Sequence, residues 1–481
     1  MTLADLYAIL PIVLLAVTAV AIMLAVAWRR SHTVAAVLSL VGLIASLIAV
    51  LREAPARPRP VTPLLLVDGF ALFFMGLLLI AALAVIVLSY SYLERHEGNR
   101  EEFYILLVLA TLGSAVLVVS NHFASFFLGL EVLSVALYGL IAYLRNREQS
   151  VEAGLKYLVL AAASAAFLLF GMALVYAASG TMAFDRIASA LAAAPPKSVL
   201  LRTGLAMTIV GVGFKLAVVP FHMWTPDVYE GAPAPVTAYV ATVSKGAVLA
   251  LLVRYLSAVD IQGSRWLLLT FTAISIVSMF AGNLLALLQS NVKRILAYSS
   301  IAHLGYLLVA FLAGGELGGV AVAFYLVAYS ATTLGAFGIV SALSGPGRDA
   351  DATDDYRGLF WRRPWLAGHF TVMLLSFAGI PLTVGFFAKL YVLAAGVGTS
   401  LWLLVIALAA SSVIGLYYYL RLIVTMFLPV PDNQGEADGM PLSWVEGAML
   451  AVLALVVLWL GVYPTPLISV IQSVATGSWG Q

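Results

Sequence analysis

Long apolar runs alternate with short polar loops from one end of the chain to the other. Taking about 20 apolar residues as one membrane crossing, the pattern predicts about fourteen helices. Their cores lie near 6–27, 33–51, 69–91, 103–119, 123–144, 152–178, 203–223, 235–256, 265–288, 294–313, 318–343, 365–392, 400–427 and 443–463. The longest loop, SGPGRDADATDDYRGLFWRR, spans only 344–363, so no stretch is left for a separate soluble domain. The expected class is an all-α polytopic membrane protein. Two helices carry interior prolines, Pro220 and Pro381, and LAVVPF set beside FAGIPL gives a short internal similarity. Paired, interrupted helices mark transporter folds built on inverted repeats, with the site near the breaks. Proline removes a backbone hydrogen bond, and the freed carbonyl binds a cation or water where it lines a cavity. A simple kink is the alternative reading.

Composition agrees with the pattern: of 481 residues 63% are hydrophobic and 10% charged, against about 25% charged in a soluble domain. A net charge of +2, dispersed through short loops, gives no sign of nucleic-acid binding. With no cysteine, disulfides, cysteine-ligated clusters and thiol catalysis are excluded. The first apolar run lacks the basic region a secretory signal needs ahead of it, and Arg29–Arg30 follow it. A retained first helix that starts outside is therefore expected. With that orientation, fourteen basic residues, Arg95, Arg100, Arg145, Arg147, Lys293 and Arg294 among them, fall on the cytoplasmic side. Eight fall outside: Arg52, Arg57, Arg59, Arg186, Lys197, Arg202, Arg254 and Arg265. The bias places both termini outside.

The remaining three basic residues, Lys215, Lys245 and Lys389, are deep in apolar segments. A mid-helix lysine costs about 2.5–3.5 kcal/mol on insertion scales, so intramembrane ionisable groups are functional by default. A carboxylate, Glu131 in FFLGLEVLSVALYG, lies at similar depth. A lysine that burial has made less basic, and that a mobile carboxylate makes basic again, takes up and releases a proton near neutral pH. Glu131 as the gate of Lys215, with Lys245 passing the proton on, is one reading; a structural Glu131–Lys215 ion pair is the other. His222 stands two helical turns beyond Lys215, and His303 lies among hydroxyls in YSSIAHLGYLL; each reads as a relay group or as a hydrogen-bonded packing residue. His122 and His369 read as interfacial. Lys156 with Glu152 forms an i, i+4 pair at a helix start, either a solvated helix end or a point of proton uptake. The loop DADATDD lacks the glycine and terminal glutamate of a calcium loop and reads as a solvated acidic loop. Nothing fixes a histidine pair for haem, and neither GxGxxG nor GxxxxGK[ST] occurs.

The stretch GFKLAVVPFHMWTPDVYEGAPAPV, with SKGAVLALLVR, YSSIAHLGY and GFFAKLYVLAAG, resembles the antiporter-like subunits in the membrane arm of respiratory complex I, the proton-translocating NADH:quinone oxidoreductase. The resemblance runs essentially end to end. Within the family it is most similar to the bacterial N subunit, the counterpart of mitochondrial subunit 2. Lys389 stands where the M-type paralogue has a glutamate, and the long lateral helix of the L-type paralogue is missing.

The resemblance implies specific roles. Glu131 matches the family's glutamate on the fifth helix and Lys215 its partner on the broken seventh. Lys245 matches the central lysine on the eighth helix, and Lys389 the terminal lysine on the broken twelfth. Lys156, His222 and His303 match polar residues on or near the hydrated axis. The implied division is an N-terminal three-helix segment (1–102), two inverted five-helix repeats (103–256 and 257–427), and a C-terminal helix and tail (428–481). The implied partners are the M-type paralogue, small membrane subunits and the lipid bilayer. No cofactor is expected in this chain; FMN, iron–sulfur clusters and quinone belong to partner subunits. The implied location is the bacterial inner membrane, with both termini periplasmic. A stand-alone cation/proton antiporter subunit and a structural scaffold are the competing readings.

Overall fold

The computed structural model describes residues 2–478 except 54–57, 97, 194–198, 258–263 and 430–441. Arg57 and Lys197, sorted above to the outer side, lie outside the described residues. The main helices, in chain order, are α1 (Leu10–Trp28), α2 (His32–Arg52), α3 (Gly69–Glu94), α4 (Glu101–Val119), α5 (Phe123–Ile141) and α6 (Glu148–Ser179). After them come α7 (Val199–Leu216), α8 (Trp224–Gly231), α9 (Ala234–Leu256), α10 (Arg265–Leu287), α11 (Val292–Ala313) and α12 (Gly315–Leu343). The chain closes with α13 (Pro364–Ala378), α14 (Val384–Gly398), α15 (Trp402–Phe427), α16 (Trp444–Val462) and α17 (Thr465–Ser478).

Among the described residues thirteen helices are long and apolar enough to cross a membrane, and α13 with α14 together supply the length of one more. The protein is all-α and polytopic. Beyond the expected crossings the chain forms a two-stranded hairpin, β1 (Arg59–Thr62) with β2 (Leu65–Val67), and the closing helix α17.

Helices α9, α11 and α12 are buried along almost their whole length, whereas α1 turns Val17, Val20 and Leu24 outward. Lipid is as apolar as leucine, so helices associate here through close packing of small residues rather than through expulsion of water. Gly113 of α4 meets Gly129 of α5, and Gly171 of α6 meets Gly204 of α7; a methyl group at Gly113, Gly171 or Gly204 would strike the opposing backbone, and one at Gly129 would press against it.

Both interior prolines mark true interruptions. Helix α7 ends at Leu216; Ala217 takes φ 60°, the Val219–Pro220 peptide is cis, and helix resumes only at Trp224. Helix α13 ends at Ala378, Gly379 takes φ 81° and Leu382 φ 73°, and α14 starts at Val384. The expectation of one helix through 203–223 is thereby corrected: His222 lies in the turn, and a two-turn helical spacing from Lys215 does not set its direction. At the second break the joint closes so tightly that a β-carbon on Gly385 would overlap the Ser376 carbonyl oxygen. Gly385→Ala is therefore expected to force the two half-helices apart and to lower the melting temperature of the purified chain by about 5 °C or more.

The 344–363 loop also departs from its expectation. Only Asp354 of its four aspartates is exposed. Asp349 is 4% exposed, and its carboxylate accepts from Lys293 Nζ at 2.7 Å, Arg147 Nη1 at 3.1 Å and the Tyr92 hydroxyl at 2.6 Å. Composition reads as solvated because the partners are remote in sequence. Lys293, sorted to a loop end, is fully buried and also donates to the Glu230 and Ala232 carbonyls at 2.7 Å each.

Candidate functional site

Lys215, Lys245 and Lys389 all point into the bundle, 4%, 1% and 9% exposed. Each stands at an irregularity of its helix. Lys215 is in the last turn of α7, just before the first break. Lys389 is in α14, just after the second. Lys245 follows a π-helical stretch, Val240–Ser244, inside α9. Such a widened turn shifts the phase of every later side chain and recurs at functional sites.

The amines are held by neutral acceptors rather than by carboxylates. Lys215 Nζ donates to Ser134 Oγ at 2.7 Å and to the Tyr157 hydroxyl at 3.4 Å, lying 5.2 Å from the Tyr157 ring centre. Lys245 Nζ donates to Ser300 Oγ at 2.7 Å and lies 5.2 Å from the Tyr229 ring. Lys389 Nζ donates to Ser412 Oγ at 2.7 Å and to the Ala378 carbonyl, freed by the helix break, at 2.8 Å. An ammonium so held keeps its hydrogen bonds whether or not it is charged, since its acceptors carry no fixed charge.

Hydroxyls and one imidazole fill the space between these amines. Ser300, which accepts from Lys245, also accepts from the Tyr329 hydroxyl at 2.6 Å. Its neighbour Ser299 meets the Tyr419 hydroxyl at 2.5 Å, and Tyr419 in turn meets His303 Nε2 at 3.2 Å. The other ring nitrogen of His303 faces the Tyr325 hydroxyl at 2.7 Å. Edge-on to His303 is Tyr306, whose ring lies 5.4 Å from Lys389 Nζ and whose hydroxyl accepts from Asn283 at 2.8 Å. Lys245, His303 and Lys389 thus share one polar seam. Between Lys215 and Lys245 the filling is aromatic, with Tyr157 against Trp224 at 5.0 Å and Tyr229 reaching Ser300 at 3.4 Å.

Glu131 does not pair with Lys215. It lies within electrostatic range of that amine, yet its Oε1 is buried without a hydrogen-bond partner. The structural ion pair weighed from the sequence is not formed in this conformation; Ser134, three residues along the same face of α5, holds the amine instead. His222 is 9% exposed and its Nδ1 has no partner. Lys156 stands apart from the buried groups: 43% of its side chain is exposed, and it bridges Glu152 at 2.7 Å and Asp227 at 2.8 Å. Arg294 continues that surface network to Asp227 and Glu230. His369 bonds the Trp365 carbonyl at 2.7 Å, and the His122 ring caps α5 through Ala124 N at 3.1 Å.

Ser300 stood among the hydroxyls noted beside His303, though nothing tied it to Lys245; Ser134, Tyr329, Tyr419 and Ser412 carried no signal, because serine and tyrosine are ordinary residues in membrane helices. Two buried ion pairs were also missed: Arg254 with Asp68 at 2.7 Å, and Arg95 with Glu446 at 2.9 Å. A carboxylate near a helix end looks interfacial in sequence, and only the fold brings its arginine to it.

Residues 120–415 match the protein family described as NADH:quinone oxidoreductase/Mrp antiporter, transmembrane. The chain belongs to this family. The matched span contains Glu131, Lys215, Lys245 and Lys389. A chain of respiratory complex I from Thermus thermophilus is 32% identical, with a TM-score of 0.82 over 95% of this chain and 98% of that one. Two further structures share the fold. One is a chain of the archaeal membrane-bound sulfane sulfur reductase, 24% identical, with TM-score 0.84 over 98% of each chain. The other is a chain of the Mrp complex from Dietzia sp., 20% identical, with TM-score 0.86 over 100% of this chain and 98% of that one. The family's chains sit in multi-subunit membrane complexes, and proton or cation translocation is the function that the fold supports.

Proposed function

We propose that this chain is the N-type antiporter-like subunit of a bacterial proton-translocating NADH:quinone oxidoreductase. NADH oxidation and quinone reduction take place in partner subunits carrying FMN and iron–sulfur clusters. This chain turns the released energy into proton transfer and holds no redox centre of its own. The M-type paralogue and small membrane subunits flank it in the inner membrane, with both termini periplasmic and two inverted repeats over 103–256 and 257–427. The observation that carries the reading is the set of three interior amines, each at a helix irregularity and each on uncharged acceptors.

In this reading Lys245, His303 and Lys389 pass protons through the hydroxyls of Ser300, Ser299, Tyr419 and Tyr306. Lys215 on Ser134 is the disengaged position of the gate. Glu131 is one helical turn away on α5, about 4.5 Å along the axis, so a small slide of the broken α7 end brings amine and carboxylate together. Lys156, on the surface, exchanges protons with water, and His222, buried beside the first break, connects to the relay. Lys215→Ala, introduced into the assembled complex, is expected to cut NADH-driven proton pumping at least tenfold. Pumping at the wild-type rate in a correctly assembled variant would overturn the proposal. A second reading, an Mrp-type cation/proton antiporter subunit, rests on fold likeness alone; sodium–proton exchange by the isolated chain in liposomes would favour it.

A further inference from the structure

A cavity of about 790 Å³ with a mixed polar and apolar lining lies at one end of the bundle, separate from the buried seam. The end of α3 with Arg95, His96 and residues 98–100 forms one side, the start of α4 and the end of α5 another, and the 346–347 loop the third. Among the described residues four arginines line it, Arg95, Arg100, Arg145 and Arg147, with one carboxylate, Glu102, which Arg30 already holds at 2.7 Å.

Arg95 and Arg147 are committed to Glu446 and Asp349, and Arg100 braces the turn through the His96 and Glu94 carbonyls. Arg145 is exposed; its backbone N–H donates to the Tyr143 carbonyl at 3.1 Å, while its guanidinium makes no hydrogen bond or ion pair among the described residues. The floor is apolar, formed by Leu93, Leu106 and Leu144, and opens at Gly139, where a β-carbon would meet the Leu106 side chain.

Asn99, Tyr143 and Asn146 also line the cavity, as does His96, which is 6% exposed. Its Nδ1 faces the Tyr92 carbonyl at 2.8 Å and so carries the hydrogen, while its Nε2 has no partner. Burial, the largest influence, lowers the basicity of this ring, so at neutral pH Nε2 is an acceptor. The cavity therefore offers guanidinium donors for an anion and an imidazole acceptor for a hydroxyl, above an apolar floor at helix ends. Basic pockets of this kind between membrane helices take anionic headgroups.

We infer that this cavity binds the phosphate of an anionic glycerophospholipid whose headgroup carries a hydroxyl, phosphatidylglycerol being the simplest. Arg145 and Arg100 face the phosphodiester, His96 Nε2 accepts from the headgroup hydroxyl, and the acyl chains leave over Leu106. A free phosphate would use the same donors without the floor.

The test is titration of the purified full chain in uncharged detergent with dioleoyl-phosphatidylglycerol, dioleoyl-phosphatidylcholine or inorganic phosphate, read as lipid adducts by native mass spectrometry and as a melting shift. Phosphatidylglycerol is expected to bind at least tenfold more tightly than phosphatidylcholine. Arg145→Gln is expected to weaken it about tenfold, and Gly139→Leu, which fills the floor without touching a charge, by a similar factor. Arg145→Lys is expected to restore part of the loss. Each variant must match the wild-type melting temperature without lipid; one that does not is replaced by Arg145→Met. Inorganic phosphate that binds as tightly as the lipid, unaffected by Gly139→Leu, would sink the lipid assignment. Equal binding of both lipids by wild type and variants would sink the site.

Discussion

Lys245→Met is expected to leave the complex assembled and to lower NADH-driven proton pumping about a hundredfold or more. Methionine is nearly isosteric with the lysine stem and removes the cost of holding an ammonium in a 1%-exposed site. Folding should therefore be unharmed. What is lost is storage: Ser300 and Tyr329 pass hydrogen bonds along but neither holds an extra proton at neutral pH. Lys245→Arg supplies the complementary result. It keeps the positive charge, but a guanidinium does not give up its proton in a protein. Both variants should be silent in a pumping assay, one for want of a charge and the other for want of a vacancy. If Lys245 were only a structural cation, arginine would preserve function and methionine would impair assembly. The opposite pattern is expected here, and proteoliposome pumping alongside native gels of the complex separates the two.

Asp349→Asn is expected to destabilise the chain by about 3–5 kcal/mol, because it leaves Lys293, fully buried, facing a neutral amide. Thermal unfolding of the purified chain in detergent measures this directly. A pH effect goes with it. Burial raises the Asp349 pKa, but Lys293 and Arg147 outweigh burial and hold the group at about 2, below its ordinary 3.8. A group depressed on folding stabilises the fold above its unfolded value. The contribution of this carboxylate is therefore complete above pH 3.8 and is lost as the pH falls toward 2. Wild type and Asp349→Asn should converge in stability across that interval and differ by a constant amount above it. A difference that does not change from pH 5 to pH 2 would show that charge is not what the aspartate contributes.

The crossings and the buried amines were legible because each contrasts with its surroundings: an apolar run against a polar loop, a lysine against aliphatic neighbours. The two breaks were legible through Pro220 and Pro381, although the sequence could not place the end of α7 at Leu216, before the proline rather than at it. Left-handed residues such as Ala217 give no compositional warning. The acceptors of the amines were not legible at all. Ser134 and Ser300 come from helices 81 and 55 residues away from the lysines they hold, and a membrane serine ordinarily bonds its own helix. The acidic loop misled for a related reason. Asp349 is drawn inward by Lys293 and Arg147, 56 and 202 residues distant, and local charge density says nothing of such partners. The separation of Glu131 from Lys215 belongs to one conformation and has no signature in a string of residues.

In the proposed relay, the row from Ser299 through Tyr419 to His303 imposes a rhythm on whatever crosses it. When an O–H hands its hydrogen forward and accepts another from behind, it is left facing the opposite way, as does each member after it. The row then resists a second passage in the same direction until every rotor has turned back. Each reset is a rotation of an O–H about its C–O bond, within the buried hydroxyls of Ser299 and Tyr419. In the proposed relay each proton that crosses therefore leaves a resetting step behind it before the next can follow.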